Sequence, residues 1–391
     1  MKRLYALVLA LALLLAFTPL TGCSKNESEV RIYNWGDYMA PGVIELFEEE
    51  TGIKVIYDTY ETNEDMYLKL KNSSGYTYDL VIPSDYMISK MLREDMLAEI
   101  NFDNVPNAAG IDDRFNNLDY DPAGTHSVPF MWGTVCIAYD PDQVSEEVNS
   151  WDILWDENYA RRIFMIDSER DSIGVALLSL GYSLNSTDPD ELEQARQKLL
   201  EQKPLVLAYT GDDVKDKMIA REGALAVIWS CDIGIIREQD DTLAYAIPDS
   251  GTNVWYDAAV ILKDAENKAN AEAFINFLCR PDISAANLDY IGYSTPETAA
   301  KEYLDEEVIS SPVSYPDDET LARSESFAEL GVEATQTMND LWLSVKTSTA
   351  NTTTYLILTP VAIAAVAAFF IISGIVKRRK KARRCRKWKQ A

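Results

Sequence analysis

One histidine and five cysteines in 391 residues set the first limits on this chain. His126 alone cannot build a multi-histidine metal centre. No His-Glu-x-x-His or Gly-x-Ser-x-Gly stretch supplies a hydrolase signature. Cys23 falls in an N-terminal signal and Cys385 in a basic tail, leaving Cys136, Cys231 and Cys279 in apolar surroundings. That odd number implies buried packing and not a disulfide framework. Asp119 and Asp121 near Gly124 have the look of a calcium loop, but Pro122 interrupts it and Phe130 stands where a closing Glu is required. No metal or cofactor is expected. Basic residues are also scarce, 36 against 63 acidic, and twelve of them lie at the two ends. The remainder carries about −39, which repels nucleic acid and anionic substrates and attracts cations.

The ends predict a membrane location. Lys2 and Arg3 precede an apolar run over residues 4–17, and Leu20-Thr21-Gly22-Cys23 closes a signal segment over residues 1–22. That tetrapeptide resembles a bacterial lipobox, which would lipidate Cys23. Residues 355–376 hold no charge over 22 positions, enough for one C-terminal transmembrane helix. Residues 377–389 follow with ten Lys or Arg and no acid, which places the 377–391 tail in the cytoplasm and the rest outside. Residues 346–354, rich in Ser, Thr and Asn, read as a tether.

Between these ends, strand and helix signals alternate. Residues 30–34, 53–60 and 79–82 read as strands, with helices at 41–50 and 64–71 between them. Gly52 is the expected stop of the first helix and Asn63 a cap of the second. The order βαβαβ signals a parallel sheet. It recurs later, with strands at 163–166 and 224–228 and helices at 188–200, 214–221 and 269–278. About 330 residues outside the membrane favour two domains. The expected fold class is α/β, two lobes around a cleft. Residues 28–133 with 256–305 form the first lobe and 134–255 with 306–345 the second.

Aromatic and acidic residues collect just after these strands. Trp35, Asp37 and Tyr38 follow the first, Ser84 and Tyr86 the third, and Asp167, Ser168 and Asp171 the 163–166 strand. Trp229 follows 224–228, and Trp255 stands two residues before Asp257. In open α/β sheets ligands bind outside the carboxyl ends of strands. Indole and phenol faces attract a cation through their quadrupole, and carboxylates accept its charge-assisted hydrogen bonds. In an extended segment Trp255 and Asp257 point to the same face. The bland roles stay open: Asp37 as a cap for the following helix, Asp171 as a helix start, Tyr293 as loop packing, and Trp132, Trp151 and Trp155 as core.

Several ordered stretches carry a family resemblance. They are Tyr33-Asn34-Trp35-Gly36-Asp37-Tyr38, Thr51 to Tyr57, Tyr60-Glu61-Thr62-Asn63-Glu64 and Tyr78 to Ser84. Val128 to Gly133, Leu180-Gly181-Tyr182-Ser183, Trp255-Tyr256-Asp257 and Ile291 to Pro296 continue the order. Together they resemble bacterial spermidine/putrescine-binding proteins across residues 30–335. The resemblance implies a type II periplasmic-binding-protein-like fold and a receptor that delivers a polyamine to the permease subunits of an ATP-driven (ABC) importer, with no enzymatic activity. It maps an aromatic box onto Trp35, Tyr38, Trp229, Trp255 and Tyr293, a serine and tyrosine onto Ser84 and Tyr86, and a central carboxylate onto Asp257. The second acidic pair is only partly kept: Asp171 matches one acid, while the other falls at Ser168 beside Asp167. A late glutamine falls at Phe327. These departures leave open which polyamine is bound. A membrane-anchored polyamine sensor acting through a partner, or a receptor for another organic cation, are the alternatives.

Overall fold

The computed structural model describes residues 28–73 and 77–348. Nine strands build it: β1 (Glu29–Trp35), β2 (Lys54–Tyr60), β3 (Leu80–Val81), β4 (Ser127–Tyr139), β5 (Ile163–Ile166), β6 (Val206–Thr210), β7 (Leu225–Trp229), β8 (Ala244–Ala246) and β9 (Val254–Ile261). They pair in the order β2-β1-β3-β9-β4-β7-β5-β6, with β8 on β4. The first half holds the parallel pairs β1–β2 and β1–β3, as the βαβαβ pattern predicts. The second holds the parallel pairs β5–β6 and β5–β7. The thirteen-residue β4 joins them: Ser127 to Thr134 pair with β9, and Val135 to Tyr139 pair with β7. Helices cover both halves, and the larger core cluster runs through both, from Ile32 and Phe47 to Trp151 and Ile163. This is the two-lobed α/β fold expected.

Local chemistry explains the elements and corrects some expectations. The helix Val43–Thr51 stops at Gly52, whose left-handed φ of 72° favours glycine. Its N-cap is Gly42, so Asp37 does not cap it; Asp37 instead sits in a left-handed turn at φ 44°. The helix Asn63–Asn72 is capped by Thr62, which accepts from Asp65 N, and not by Asn63. Either residue type can cap, and the turn places Thr62 first. Asp188 caps Pro189–Gln202, and Pro189 stands in its first turn, where a missing N–H costs nothing. The helix Glu169–Ser179 starts under Ser168, two residues before Asp171. Residues 346 and 347 still belong to the helix Gly331–Thr347, so the expected tether begins later.

Trp132 and Trp151 are core, and Trp155 is half-buried beside it. Cys136, Cys231 and Cys279 are free and buried. Among the described residues no helix is long and apolar enough to cross a membrane. The expected signal segment, Cys23, the 355–376 span and the basic tail lie outside the described residues.

Candidate ligand-binding site

Asp257 occupies the middle of β9, and an isolated antiparallel bridge ties it to Ser84, the residue that leads into the helix Asp85–Arg93. The Tyr38 hydroxyl donates to Asp257 Oδ2 at 2.6 Å. Asp257 is 5 % exposed, and its other oxygen, Oδ1, has no hydrogen-bond partner in the protein. Burial pushes the carboxyl up to about 6; Tyr38 and the nearby Ser84 work the other way, and the charge of Asp171 adds to the rise. Native interiors rarely leave a buried carboxylate oxygen without a donor.

Rings surround this carboxylate. Tyr293 packs edge-on against Trp255 at 4.5 Å between centroids and against Tyr38 at 5.6 Å. Trp35, at the end of β1, tilts against Tyr60 at 4.6 Å, and its buried Nε1 has no acceptor. Tyr60 is fixed by donating to Ile82 O at 2.7 Å. Two glycines make this close assembly possible. A Cβ on Gly133 would stand 2.6 Å from the Trp255 ring. Gly292 ends the helix Pro281–Ile291 at φ 85°, which turns the chain so that Tyr293 faces the box.

From the second half come Trp229, at the end of β7, and Asp171. Asn253 Nδ2 donates to Asp171 Oδ1 at 3.0 Å. Burial raises the Asp171 carboxyl, while Ser168, Asn253 and Trp229 beside it oppose the rise. Trp35, Tyr38, Ser84, Asp171, Trp229, Trp255, Asp257 and Tyr293 thus gather in one region, drawn from both halves.

Three expected residues are engaged elsewhere. Asp167 has a side chain 45 % exposed, and its Oδ1 accepts from Lys346 Nζ at 2.6 Å, on the C-terminal helix. The Ser168 hydroxyl oxygen accepts from Asp171 N at 3.4 Å as a helix cap. Tyr86 donates its hydroxyl to Glu64 Oε1 at 2.9 Å and accepts from Asn63 Nδ2 at 3.1 Å. Its ring lies under the Arg170 guanidinium, 5.2 Å from Cζ. Asp37 is exposed, and its charge and that of Glu61 help raise the carboxyl of the surface residue Asp212 of the other half, with desolvation the main cause.

Other neighbours were not singled out from the sequence. Arg170 and Glu169 stand inside the Asp167 to Asp171 run, yet nothing in the run shows which side chain turns inward. Glu169 is pushed up to about 7 by burial and by Glu64 across from it. Asp85, 1 % exposed with an unpartnered Oδ2, is raised well above its ordinary value by burial. Asp232, also buried, is paired with Lys215 at 3.2 Å. Among the described residues no group of three or more His, Cys, Asp or Glu can hold a metal ion.

Comparison with known proteins agrees with this geometry. The family model for bacterial extracellular solute-binding proteins matches residues 42–317. The spermidine/putrescine-binding periplasmic protein of Escherichia coli K12 is 38 % identical over 309 residues, 79 % of this chain and 89 % of its own length. A putative spermidine/putrescine ABC transporter structure from Listeria monocytogenes superposes with a TM-score of 0.79 at 39 % identity, covering 82 % of this chain and 99 % of that one. The spermidine/putrescine substrate-binding protein PotD of Streptococcus pneumoniae gives 0.71 at 40 %, covering 82 % and 98 %. These relatives are binding components of transporters and not enzymes. A sheet crossed by one long strand, site residues drawn from both halves and these matches agree: the chain belongs to the bacterial extracellular solute-binding proteins, in the branch of the spermidine/putrescine receptors.

Proposed function

We propose that this protein binds a polyamine of the spermidine/putrescine class outside the cytoplasm and hands it to an ABC importer. The observation that carries this reading is Asp257 Oδ1, a buried carboxylate oxygen with no protein donor, set among Tyr38, Trp255 and Tyr293. An ammonium supplies the missing donor, and the rings cover the methylenes beside it. Asp171, in the other half, serves a second ammonium. The relatives named above bind spermidine and putrescine by their own descriptions, which supports the same class here. Titration calorimetry with putrescine, spermidine, spermine and agmatine tests it; absence of binding to all four would remove it.

We further propose that the halves move as lobes, residues 28–133 with 256–305 against 134–255 with 306–345, hinged where β4 passes from β9 to β7. Contacts to one ligand from both halves then favour closure. Small-angle scattering with and without ligand should show compaction, and an unchanged radius of gyration at saturation would oppose it. The sequence supports two anchors, lipid on Cys23 and a helix over 355–376, with the basic tail on the anionic inner leaflet. Protease added to intact protoplasts should remove the lobes and spare the tail. A tail cut from outside would overturn this topology.

A further inference from the structure

Asp257 Oδ1 is not alone: a second buried oxygen on the same line of residues also has no donor. Asn253, 5 % exposed, stands just before β9, and an isolated parallel bridge to Glu325 carries the extended pairing back to it. Side chains alternate along such a segment, so Asn253, Trp255 and Asp257 share one face. Their contacts agree. Trp255 meets Tyr293 and Asp257 meets Tyr38, while Tyr256 turns the other way to Phe115 and Tyr120. Asn253 O accepts from Val135 N at 3.2 Å, and Val135 pairs with Trp229 on its other side. Asn253 therefore lies across β4 from Trp229, where β4 passes from β9 to β7. Its Nδ2 donates to Asp171 Oδ1 at 3.0 Å, which orients the amide, because a carboxylate only accepts. The amide oxygen, Oδ1, is buried and has no donor in the protein.

We propose that Asn253 is a further ligand-binding residue, its Oδ1 accepting from the ammonium group that Asp171 holds. This rests on the polyamine reading above. A primary ammonium carries three donors. Asp171, one oxygen of which already accepts from Asn253, leaves donors of that group over. A buried donor without an acceptor costs its full desolvation, so a second oxygen beside Asp171 gains a charge-assisted bond. A neutral amide suits this place. The charge of Asp171 already adds to the rise of Asp257, and a third carboxylate beside them would add repulsion to the unliganded site.

The test is calorimetry on the full-length protein with putrescine and with spermidine. Asn253→Leu keeps the approximate size of the side chain and removes both of its polar ends. Affinity for the amine that wild type binds more tightly should fall by about tenfold or more, the value of a hydrogen bond to a charged group. Such a loss would also follow if Asn253 only held Asp171 in place, so the substitution is repeated in the Asp171→Asn protein. It should lower affinity further there; no further loss would leave Asn253 a positioning residue and overturn the contact. Asn253→Ala, which adds no bulk, serves if Asn253→Leu fails to fold by circular dichroism. Wild-type affinity in a folded Asn253→Leu or Asn253→Ala protein would overturn the inference while leaving the polyamine reading intact. Binding of neither amine by wild type would refute the polyamine reading itself, and this inference with it.

Discussion

The surroundings of Asp257 and those of Tyr86 contain the same ingredients, rings and carboxylates, and use them in opposite ways. Around Asp257 the rings pack on each other and leave a carboxylate oxygen without a donor. Around Tyr86 the ring face is covered by Arg170, and the hydroxyl is spent on Glu64 and Asn63. Composition alone would rate both as cation sites. What separates the two acceptors is satisfaction: the Tyr86 hydroxyl, already paired within the protein, has little to give a ligand, whereas Asp257 Oδ1, buried and unpaired, gains the full value of a new bond.

The largest effect should follow from cutting the unsatisfied acceptor. Asp257→Asn is expected to cost about 2–5 kcal/mol of polyamine binding, the range for truncating a buried charged partner. Circular dichroism should show the fold intact. Wild-type affinity in this variant would erase the distinction between the two. Trp255→Ala should come next, at about 2 kcal/mol, since it removes a desolvated cation–π face and the ring that Tyr293 leans on.

A pH series sharpens the contrast with a smaller effect. Asp257 must be ionised to hold an ammonium, and burial has raised it to about 6. The charged fraction of such a group grows about tenfold from pH 5 to pH 7, so affinity should rise by about that factor and then level off. Glu169 near 7 and Asp232 near 6 titrate in the same window, so Asp257→Asn should flatten the profile only in part. For stability the sign is reversed. The folded carboxyl holds its proton more tightly than the unfolded one, so the Asp257 contribution favours folding at low pH and is lost as pH rises through about 6. Ligand should offset that loss. A melting temperature with ligand that falls over this window as steeply as without it would contradict the assignment.

The smallest effect is expected at the paired acid. Lys346→Met breaks the partly exposed ion pair with Asp167 and should change stability by less than about 1 kcal/mol. Polyamine binding should stay within about twofold, measured by calorimetry. A tenfold loss or gain would bring Asp167 back among the ligand contacts.

Much of this was legible in the chain. Short apolar runs placed β1, β5 and β7, and strand-end clustering gathered Trp35 and Trp229, because these depend on neighbours a few residues apart; Trp255 and Asp257 instead lie inside β9. Pairing across the fold was not legible. Lys346 lies 179 residues from Asp167, and Arg170 lies 84 from Tyr86; no local pattern records which partner a side chain finds after the halves meet. Caps failed for a simpler reason. Thr62 and Asn63 are both good caps, and only the backbone turn decides between them.

The most direct test of the central claim is a calorimetric titration of the intact protein with butane-1,4-diamine (putrescine) beside butane-1,4-diol, its uncharged counterpart in length. Saturable binding of one diamine per chain, with no heat from the diol, is the predicted result. Equal binding of both, or of neither, would contradict a site built on the unpartnered Oδ1 of Asp257.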